Sequence, residues 1–208
     1  MTEIGEKGAQ LYIFAKAPVL GTVKTRLAAT IGDAAALAVY RRMLWRCAER
    51  LGQGPWRMSL AVTPDAAADD SDDWPAGVDR EGQGGGDLGA RMLRCLERAG
   101  PAAPVLVVGS DIPVLAARHI RQALSALQQN ELVFGPSEDG GFYLVGANSP
   151  PPSDIFSNVT WSSPTALAQV IAQCPGTPAL IDRLDDLDDM AAFARHRDNP
   201  DWTDLMPI

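Results

Sequence analysis

The chain has 208 residues, of which 46% are hydrophobic and 21% charged, and its formal net charge is −8 at pH 7. A chain of this size fits one large α/β domain, here predicted to span residues 1–208, with two small domains as the less favoured alternative. The negative charge argues against nucleic acid or an anionic membrane as a partner, because neither would meet a basic face. The sequence contains no run of 18 apolar residues, so no membrane span is predicted.

The first element is an apolar run at residues 11–16 that predicts a strand and ends at Lys16. A loop containing Gly21 follows, and Lys24 and Arg26 open a helix. Exposed cations at a helix N-terminus oppose the helix dipole by roughly 0.3–1 kcal/mol each, whereas a phosphate bound in the loop would reverse that sign. The pattern favours a nucleotide-phosphate site over a solvated surface loop, although neither the Walker A string nor the dinucleotide-binding fingerprint occurs.

Strands and helices then alternate along the chain, which predicts a mostly parallel sheet with helices on both faces. The segment between residues 135 and 142 is too short for a crossover helix, so the strands that flank it are expected to be antiparallel. The further predicted strands cover residues 56–63, 105–109, 132–135, 142–146 and 179–184. The predicted helices begin at Asp33, after Asp87, near residue 115, at Ser163 and after the caps Asp185 and Asp186, and residues 65–86 are expected to form a loop.

Ligands of such sheets bind beyond the carboxyl ends of the strands, near the point where strand order reverses. Asp111 follows the strand at residues 105–109 and is therefore expected at this edge. Its carboxylate could ligate Mg²⁺ or Mn²⁺, since hard cations of this kind often take one or two carboxylates together with substrate phosphates. An Asx turn or a helix cap ahead of Pro113 explains the same residue equally well.

Three further groups of polar and glycine residues have both a structural and a functional interpretation. Asp185 ends the last predicted strand, and of the acids at residues 182–189 it is the one placed to reach the same metal as Asp111. The glycines that follow Asp139 allow close approach of a ligand or form an ordinary tight turn. Gln83 and Gly84 begin either a flexible hinge or a loop that contacts a base.

Other chemistries find little support in the residues. His119 and His196 are the only histidines and are expected on helix surfaces, so a zinc site of the His/Cys type is disfavoured. The three cysteines are odd in number and far apart, and the amino terminus lacks a signal-peptide layout; both features are typical of a cytoplasmic protein. Four tryptophans suit either the core or a homodimer interface, and the sequence leaves that choice open: Trp56, Trp74, Trp161 and Trp202.

Several motifs, taken together, resemble a bacterial family of GT-A-fold, glycosyltransferase-like proteins. They include Phe-Ala-Lys-Ala-Pro-Val-Leu-Gly-x-Val-Lys-Thr-Arg-Leu at residues 14–27, Gly-Ser-Asp-Ile-Pro at residues 109–113 and Gly-Pro-Ser-Glu-Asp-Gly-Gly-Phe-Tyr-Leu-Val-Gly at residues 135–146. The likeness extends over about residues 11–190. The family is similar to the phospholactate guanylyltransferases of deazaflavin-coenzyme synthesis and, more distantly, to the molybdopterin guanylyltransferases.

This resemblance implies a nucleotide-diphospho-sugar transferase fold with a seven-stranded mixed sheet. It implies catalytic roles for Lys24, Arg26 and Asp111, and metal binding by Asp111 and Asp185. The nucleotide would be bound by Ala15, Lys16, Gly21, Lys24, Arg26, Gln83 and Gly84. The acceptor would be bound by Asp139, Gly140, Gly141 and Tyr143.

The chain departs from the family pattern at two positions. Arg183 stands where the family has the first acid of its late acidic segment, and Gly109 stands two residues before Asp111, so no Asp-x-Asp pair occurs there. A lone acid at Asp111 favours nucleotidyl transfer from an NTP to a small phosphorylated or hydroxylated acceptor. Glycosyl transfer from a nucleoside-diphosphate sugar and a non-catalytic nucleotide-binding role are the alternatives.

Overall fold

The structure is a computed structural model that describes residues 8–69, 73–100 and 102–206. The prediction that there is no signal peptide concerns the amino terminus, which lies outside the described residues. Residues 70–72 of the predicted loop lie outside them as well. The strands are β1 (Gln10–Lys16), β2 (Arg57–Thr63), β3 (Asp79–Gly82), β4 (Val105–Gly109), β5 (Leu132–Pro136), β6 (Phe142–Ala147) and β7 (Ala179–Leu180). The helices are α1 (Thr25–Ile31), α2 (Asp33–Leu51), α3 (Leu88–Leu96), α4 (Ala117–Ala126), α5 (Ala166–Ile171), α6 (Met190–Arg195) and α7 (Pro200–Thr203).

The seven strands form one sheet in the order β3-β2-β1-β4-β6-β5-β7. β6 runs antiparallel to both β4 and β5 and the other pairs are parallel, as the short connection between β5 and β6 predicted. β1 lies between β2 on one side and β4 on the other. The strand order therefore reverses between β1 and β4, and a crevice opens beyond their carboxyl ends.

Alternating side chains of the strands enter two hydrophobic layers. Leu11 and Ile13 of β1 pack with α2 and α4 on one face, whereas Tyr12 of the same strand packs with α3 and α5 on the other. A third, smaller cluster joins α1 and α2 to the C-terminal helices around the buried Trp202. The sheet is thus covered on both faces, which is why β4 is apolar along almost its whole length.

Four predictions about local structure need correction. The predicted loop at residues 65–86 contains β3, a short edge strand that pairs with β2. Its charged residues lack the apolar pattern from which a strand is predicted. The last predicted strand is reduced to Ala179–Leu180, and the helix after it begins at Met190 because Asp189, and not Asp185 or Asp186, caps it. His119 is buried, with 1% exposure, and its Nδ1 accepts the backbone N–H of Ala116.

The described residues contain no helix with both the length and the apolar character that a bilayer crossing needs.

Candidate active site

The loops after β1 and β4 meet at the crevice, and a segment from late in the chain closes it from one side. The backbone N–H of Leu187 donates to the carbonyl oxygen of Asp111 (3.1 Å), and the N–H of Leu184 donates to the carbonyl oxygen of Pro136 (3.1 Å). These bonds hold residues 184–188 against the ends of β4 and β5. Acidic residues that lie more than 70 positions apart in the sequence are thereby brought together.

Asp111, Asp186 and Asp188 form an acidic group, with one carboxylate oxygen of each lying within 4.8 Å of the others. Burial, followed by the negative charges of Asp111 and Asp188, raises the pKa of Asp186 to about 7. A divalent cation would stabilise the ionised form of Asp186, which burial and the neighbouring negative charges disfavour. Three carboxylates around one point match the hard-oxygen preference of Mg²⁺ and Mn²⁺, so these residues fit such an ion.

Lys24 reaches the same point from the β1 loop. Its Nζ lies 2.7 Å from Oδ1 of Asp188 and 3.5 Å from Oδ2 of Asp111, and its side chain is only 5% exposed. Burial alone would lower the pKa of Lys24, but the carboxylates of Asp111 and Asp188 together raise it above its usual value. The same ammonium holds the pKa of Asp188 below its usual range despite burial. A fully charged lysine therefore lies beside the acidic group.

The first part of the crevice is a cavity of about 250 Å³, here called the basic lobe, which is lined by Lys16, Lys24 and Arg26. Arg26 Nη1 lies 3.9 Å from Oδ2 of Asp188, and its side chain is 67% exposed. Lys16 Nζ donates to the carbonyl oxygen of Thr22 (2.8 Å), so the loop is folded back on the end of β1. Three cations in a cavity of this size suit a polyphosphate.

The second part is a cavity of about 380 Å³, here called the aromatic lobe, with Phe14, Phe142 and Trp161 in its wall. Asp111 and Asp188 line both lobes, so the acidic group stands between them. Asp139, Gly141 and Tyr143 also line the aromatic lobe. The residues that the resemblance gave to the acceptor therefore lie mainly here.

Asp185 is the one predicted metal ligand that the structure does not bring into the acidic group. Its buried carboxylate accepts from Nη2 of Arg195 (2.8 Å) and lies 2.9 Å from Nε2 of His196. These partners occupy the carboxylate, so Asp185 lies outside the group that Asp111 forms with Asp186 and Asp188. Asp185 instead anchors the acidic segment to α6.

The residues proposed for the nucleotide play unequal parts. Gln83 is buried, and its amide donates to the carbonyl oxygen of Ala61 (2.8 Å) and lies 3.4 Å from that of Ala15. The backbone N–H of Gly84 donates to Oδ1 of Asp65 (3.0 Å). Gly21 has φ 74°, in the left-handed region that a tight loop needs. Hydrogen bonds at Ala15, Gln83 and Gly84 thus hold β1, β2 and β3 together. These contacts give no indication that the three side chains bind a ligand.

The predicted acceptor residues form a tight turn with a buried flank. Oδ1 of Asp139 accepts the N–H of Gly141 (2.9 Å), and Gly140 has φ 87°. A Cβ at Gly140 would lie 2.1 Å from the carbonyl oxygen of Pro164, so this position admits only glycine. The hydroxyl of Tyr143 donates to the carbonyl oxygen of Asp182 (2.9 Å), and burial raises its pKa. Tyr143 therefore ties β6 to the segment that follows β7.

Two acids of the crevice and its aromatic wall are not predicted from the sequence. The sequence pattern of Asp186 and Asp188 suits caps and solvated positions, yet the structure brings one carboxylate oxygen of each within 4.8 Å of one from Asp111. This Asp-x-Asp spacing was the available signal. The aromatic wall had no comparable signal, because Phe14, Phe142 and Trp161 come from three distant parts of the chain.

Comparison with solved structures shows that the fold is that of the nucleotide-diphospho-sugar transferases. A proposed nucleotide-diphospho-sugar transferase from Desulfovibrio desulfuricans G20 superposes with a TM-score of 0.79 at 23% identity, covering 93% of this chain and 88% of that chain. Rv0371c from Mycobacterium tuberculosis H37Rv, solved in complex with manganese, gives 0.52 at 15% identity over 92% and 99% of the two chains. CMP:2-keto-3-deoxy-manno-octonic acid synthetase, solved with CTP, gives 0.52 at 11% identity over 91% and 97%.

The chain belongs to the bacterial family DUF2064, which is described as an uncharacterized protein conserved in bacteria and whose pattern matches residues 47–163. The α/β fold and the family resemblance that the sequence predicted are both confirmed. A comparison with curated proteins finds no match.

Proposed function

We propose that this chain is a divalent-metal-dependent transferase that moves a nucleotidyl group from an NTP to a small phosphorylated or hydroxylated acceptor. The observation that carries the proposal is the acidic group of Asp111, Asp186 and Asp188 next to Lys24, at the reversal of strand order. Similarity of fold to a manganese-bound protein and to a CTP-bound synthetase supports it. We further propose that residues 1–208 form one transferase domain and that the protein acts in the cytoplasm.

In this mechanism the chain acts by positioning and charge rather than as a nucleophile. The three carboxylates would hold Mg²⁺ or Mn²⁺. Such an ion, when bound, would neutralise negative charge on the phosphate oxygens. Lys24, Lys16 and Arg26 would bind the β- and γ-phosphates in the basic lobe and offset the charge that develops on the pyrophosphate. An acceptor oxygen would then form a bond to the α-phosphorus from the aromatic lobe as the bond to pyrophosphate breaks.

The test is pyrophosphate release by the full chain and by Asp111→Asn, with GTP, CTP, UTP and ATP as donors, a pool of small alcohols and phosphate monoesters as acceptors, and Mg²⁺ or Mn²⁺. Asp198→Asn is a matched control, because Asp198 is exposed and lies outside both lobes. We expect metal-dependent release that falls by roughly two orders of magnitude or more in Asp111→Asn and is unchanged in Asp198→Asn. Equal release by both variants would contradict the proposal.

Glycosyl transfer is the second candidate, and the Asp-x-Asp spacing of Asp186 and Asp188 is the observation that favours it. The two reactions differ in their products: pyrophosphate for nucleotidyl transfer and a free nucleoside diphosphate for glycosyl transfer. Nucleotide binding that does not respond to divalent metal would instead favour a non-catalytic binding protein.

A further inference from the structure

We infer that the acceptor is a neutral or cationic alcohol or phenol with a planar, apolar body, and that it is not a phosphorylated compound. This inference rests on the proposed nucleotidyl transfer and narrows its acceptor class. It follows from the position, the wall and the charge of the aromatic lobe.

The position of the aromatic lobe follows from in-line displacement. In phosphoryl transfer the attacking and leaving oxygens lie roughly opposite each other across the phosphorus. The three cations of the basic lobe place the leaving pyrophosphate on one side of the acidic group. The acceptor oxygen must then approach from the other side, and the cavity on that side is the aromatic lobe.

The wall of this lobe is a set of aromatic side chains held in a fixed arrangement. The rings of Phe142 and Trp161 meet edge to face with centroids 6.3 Å apart, and the Phe142 ring packs in the same way on the buried Phe134 at 5.2 Å. Nε1 of Trp161 donates to Oδ2 of Asp87 (3.3 Å), which fixes the indole from outside. Leu88, 44% exposed, lies at the edge of the same cavity. A planar apolar ligand would bury this surface without any rearrangement of the rings.

The charge of the lobe opposes an anionic acceptor. Four carboxylates line the cavity, those of Asp111, Asp139, Asp186 and Asp188, against the single cation Lys16. A divalent ion together with the Lys24 ammonium would offset the three that form the acidic group, and Lys16 is directed to the β1 loop by its bond to Thr22. Oδ1 of Asp139 accepts the N–H of Gly141, and no described lysine or arginine forms an ion pair with this carboxylate. A phosphate beside it would be repelled, whereas a hydroxyl or an ammonium group would be attracted.

The chemistry of the step agrees with a hydroxyl acceptor. The hydroxyl oxygen forms the new bond to the α-phosphorus, the α–β phosphoanhydride bond breaks, and pyrophosphate leaves. The hydroxyl proton is released to water. The lining serines Ser110, Ser162 and Ser163 are neutral and add no charge to the lobe.

The experiment measures acceptor binding to the full chain saturated with Mg²⁺ and an α,β-methylene NTP analogue, which is not cleaved at the α–β linkage. The probes are 2-phenylethanol, the cationic phenol tyramine, and 2-phenylethyl phosphate, titrated by ligand-observed NMR. We expect the alcohol and the phenol to bind at least about tenfold more tightly than the phosphate ester. Equal or tighter binding of the phosphate ester, or no binding of either uncharged or cationic probe, would overturn the inference.

Two substitutions test the charge and the wall separately. Asp139→Lys should tighten binding of 2-phenylethyl phosphate by at least about tenfold, and Glu138→Lys should not, because it makes the same charge change at an exposed neighbour outside the lobe. Trp161→Leu should weaken 2-phenylethanol binding by roughly fivefold, the usual contribution of one aromatic contact, and Trp161→Phe should restore part of it. Tighter phosphate binding in both lysine variants would remove the role of Asp139.

Nucleotide affinity, measured by calorimetry in the same variants, separates the possible failures. If the analogue does not bind, or binds without regard to Mg²⁺, the proposed function itself fails. If the analogue binds normally but the phosphate ester is preferred, only the acceptor inference fails. If Trp161→Leu weakens the analogue as much as the alcohol, the aromatic lobe holds the nucleobase and the inference is wrong.

Discussion

The two lobes of the crevice share the carboxylates of Asp111 and Asp188 but differ in almost every other property. The basic lobe is the smaller, at about 250 Å³, and carries three cations, at the end of β1, in the loop that follows and in the first turn of α1. The aromatic lobe, at about 380 Å³, is walled by rings supported by the core of the sheet. Under the proposed function, one lobe would recognise its ligand by positive charge, and the other by aromatic surface and negative charge, on opposite sides of a common acidic group.

The largest effect is expected from removing the buried cation of the basic lobe. Lys24→Met should lower the turnover number by roughly two to four orders of magnitude, because Lys24 would offset charge that develops only in the transition state. Asp139→Asn, in the other lobe, should mainly change the KM for the acceptor. Steady-state kinetics with both variants checks this contrast, and thermal melting confirms that each is folded. A pure KM effect in Lys24→Met would remove the distinction between the lobes.

The same Lys24→Met variant should bind Mn²⁺ more tightly when no nucleotide is present. The Lys24 ammonium, 2.7 Å from Asp188, competes with a metal for the same carboxylates. Since buried charges interact strongly, we expect a gain of about tenfold or more, measured as free Mn²⁺ by electron paramagnetic resonance. Arg42→Met is the control, because Arg42 contacts the carbonyl oxygens of Leu205 and Met206 and lines neither lobe. Unchanged affinity in Lys24→Met would place the metal elsewhere.

A smaller effect is expected on the pH dependence of stability. The pKa of Asp186 is about 7 in the folded chain, against about 3.9 for an unfolded aspartate. The folded state therefore binds more protons between these values, so the contribution of Asp186 to stability is present below about pH 4 and is lost as pH rises through about 7. Melting temperatures without divalent metal should show a weaker decline over this window in Asp186→Asn than in the wild type. Parallel curves would show that Asp186 does not titrate there.

The smallest effect separates two cations of the same lobe by their burial. Arg26 is 67% exposed and lies 3.9 Å from Asp188, and exposed pairs contribute about 0–1 kcal/mol. Arg26→Gln should therefore leave the free energy of unfolding within about 1 kcal/mol of the wild type, as urea denaturation would show. Turnover should fall less than in Lys24→Met. A larger loss of stability would mean that Arg26 supports the acidic segment structurally.

The sequence predicted those parts of the site that are contiguous or directly follow a strong strand. Lys16, Lys24 and Arg26 lie within eleven positions of one another, and Asp111 follows an apolar strand whose end was visible in the pattern. Their positions at the crevice depend only on where two strands end. The same reasoning failed for β3, because an edge strand with exposed charged residues lacks the apolar pattern that identifies a strand.

The late acidic segment shows why the rest of the site could not be predicted from the sequence. Five aspartates lie between residues 182 and 189, and their local pattern suits capping as well as ligation. Asp185 and Asp186 are adjacent, yet the carboxylate of Asp185 pairs with Arg195 whereas that of Asp186 joins Asp111 and Asp188. Which of them enters the acidic group depends on the backbone bond from Leu187 to Asp111, a contact across 76 positions.

The sequence by itself determined the alternation of strands and helices, the basic loop after β1 and the acid after β4, because period, capping and strand ends are local properties of the chain. The tertiary structure decided which late aspartates join Asp111, and it assembled Phe14, Phe142 and Trp161 into one wall. Both outcomes depend on packing between distant segments, whose free energy is set by burial and charge in three dimensions and leaves no periodic pattern in the sequence.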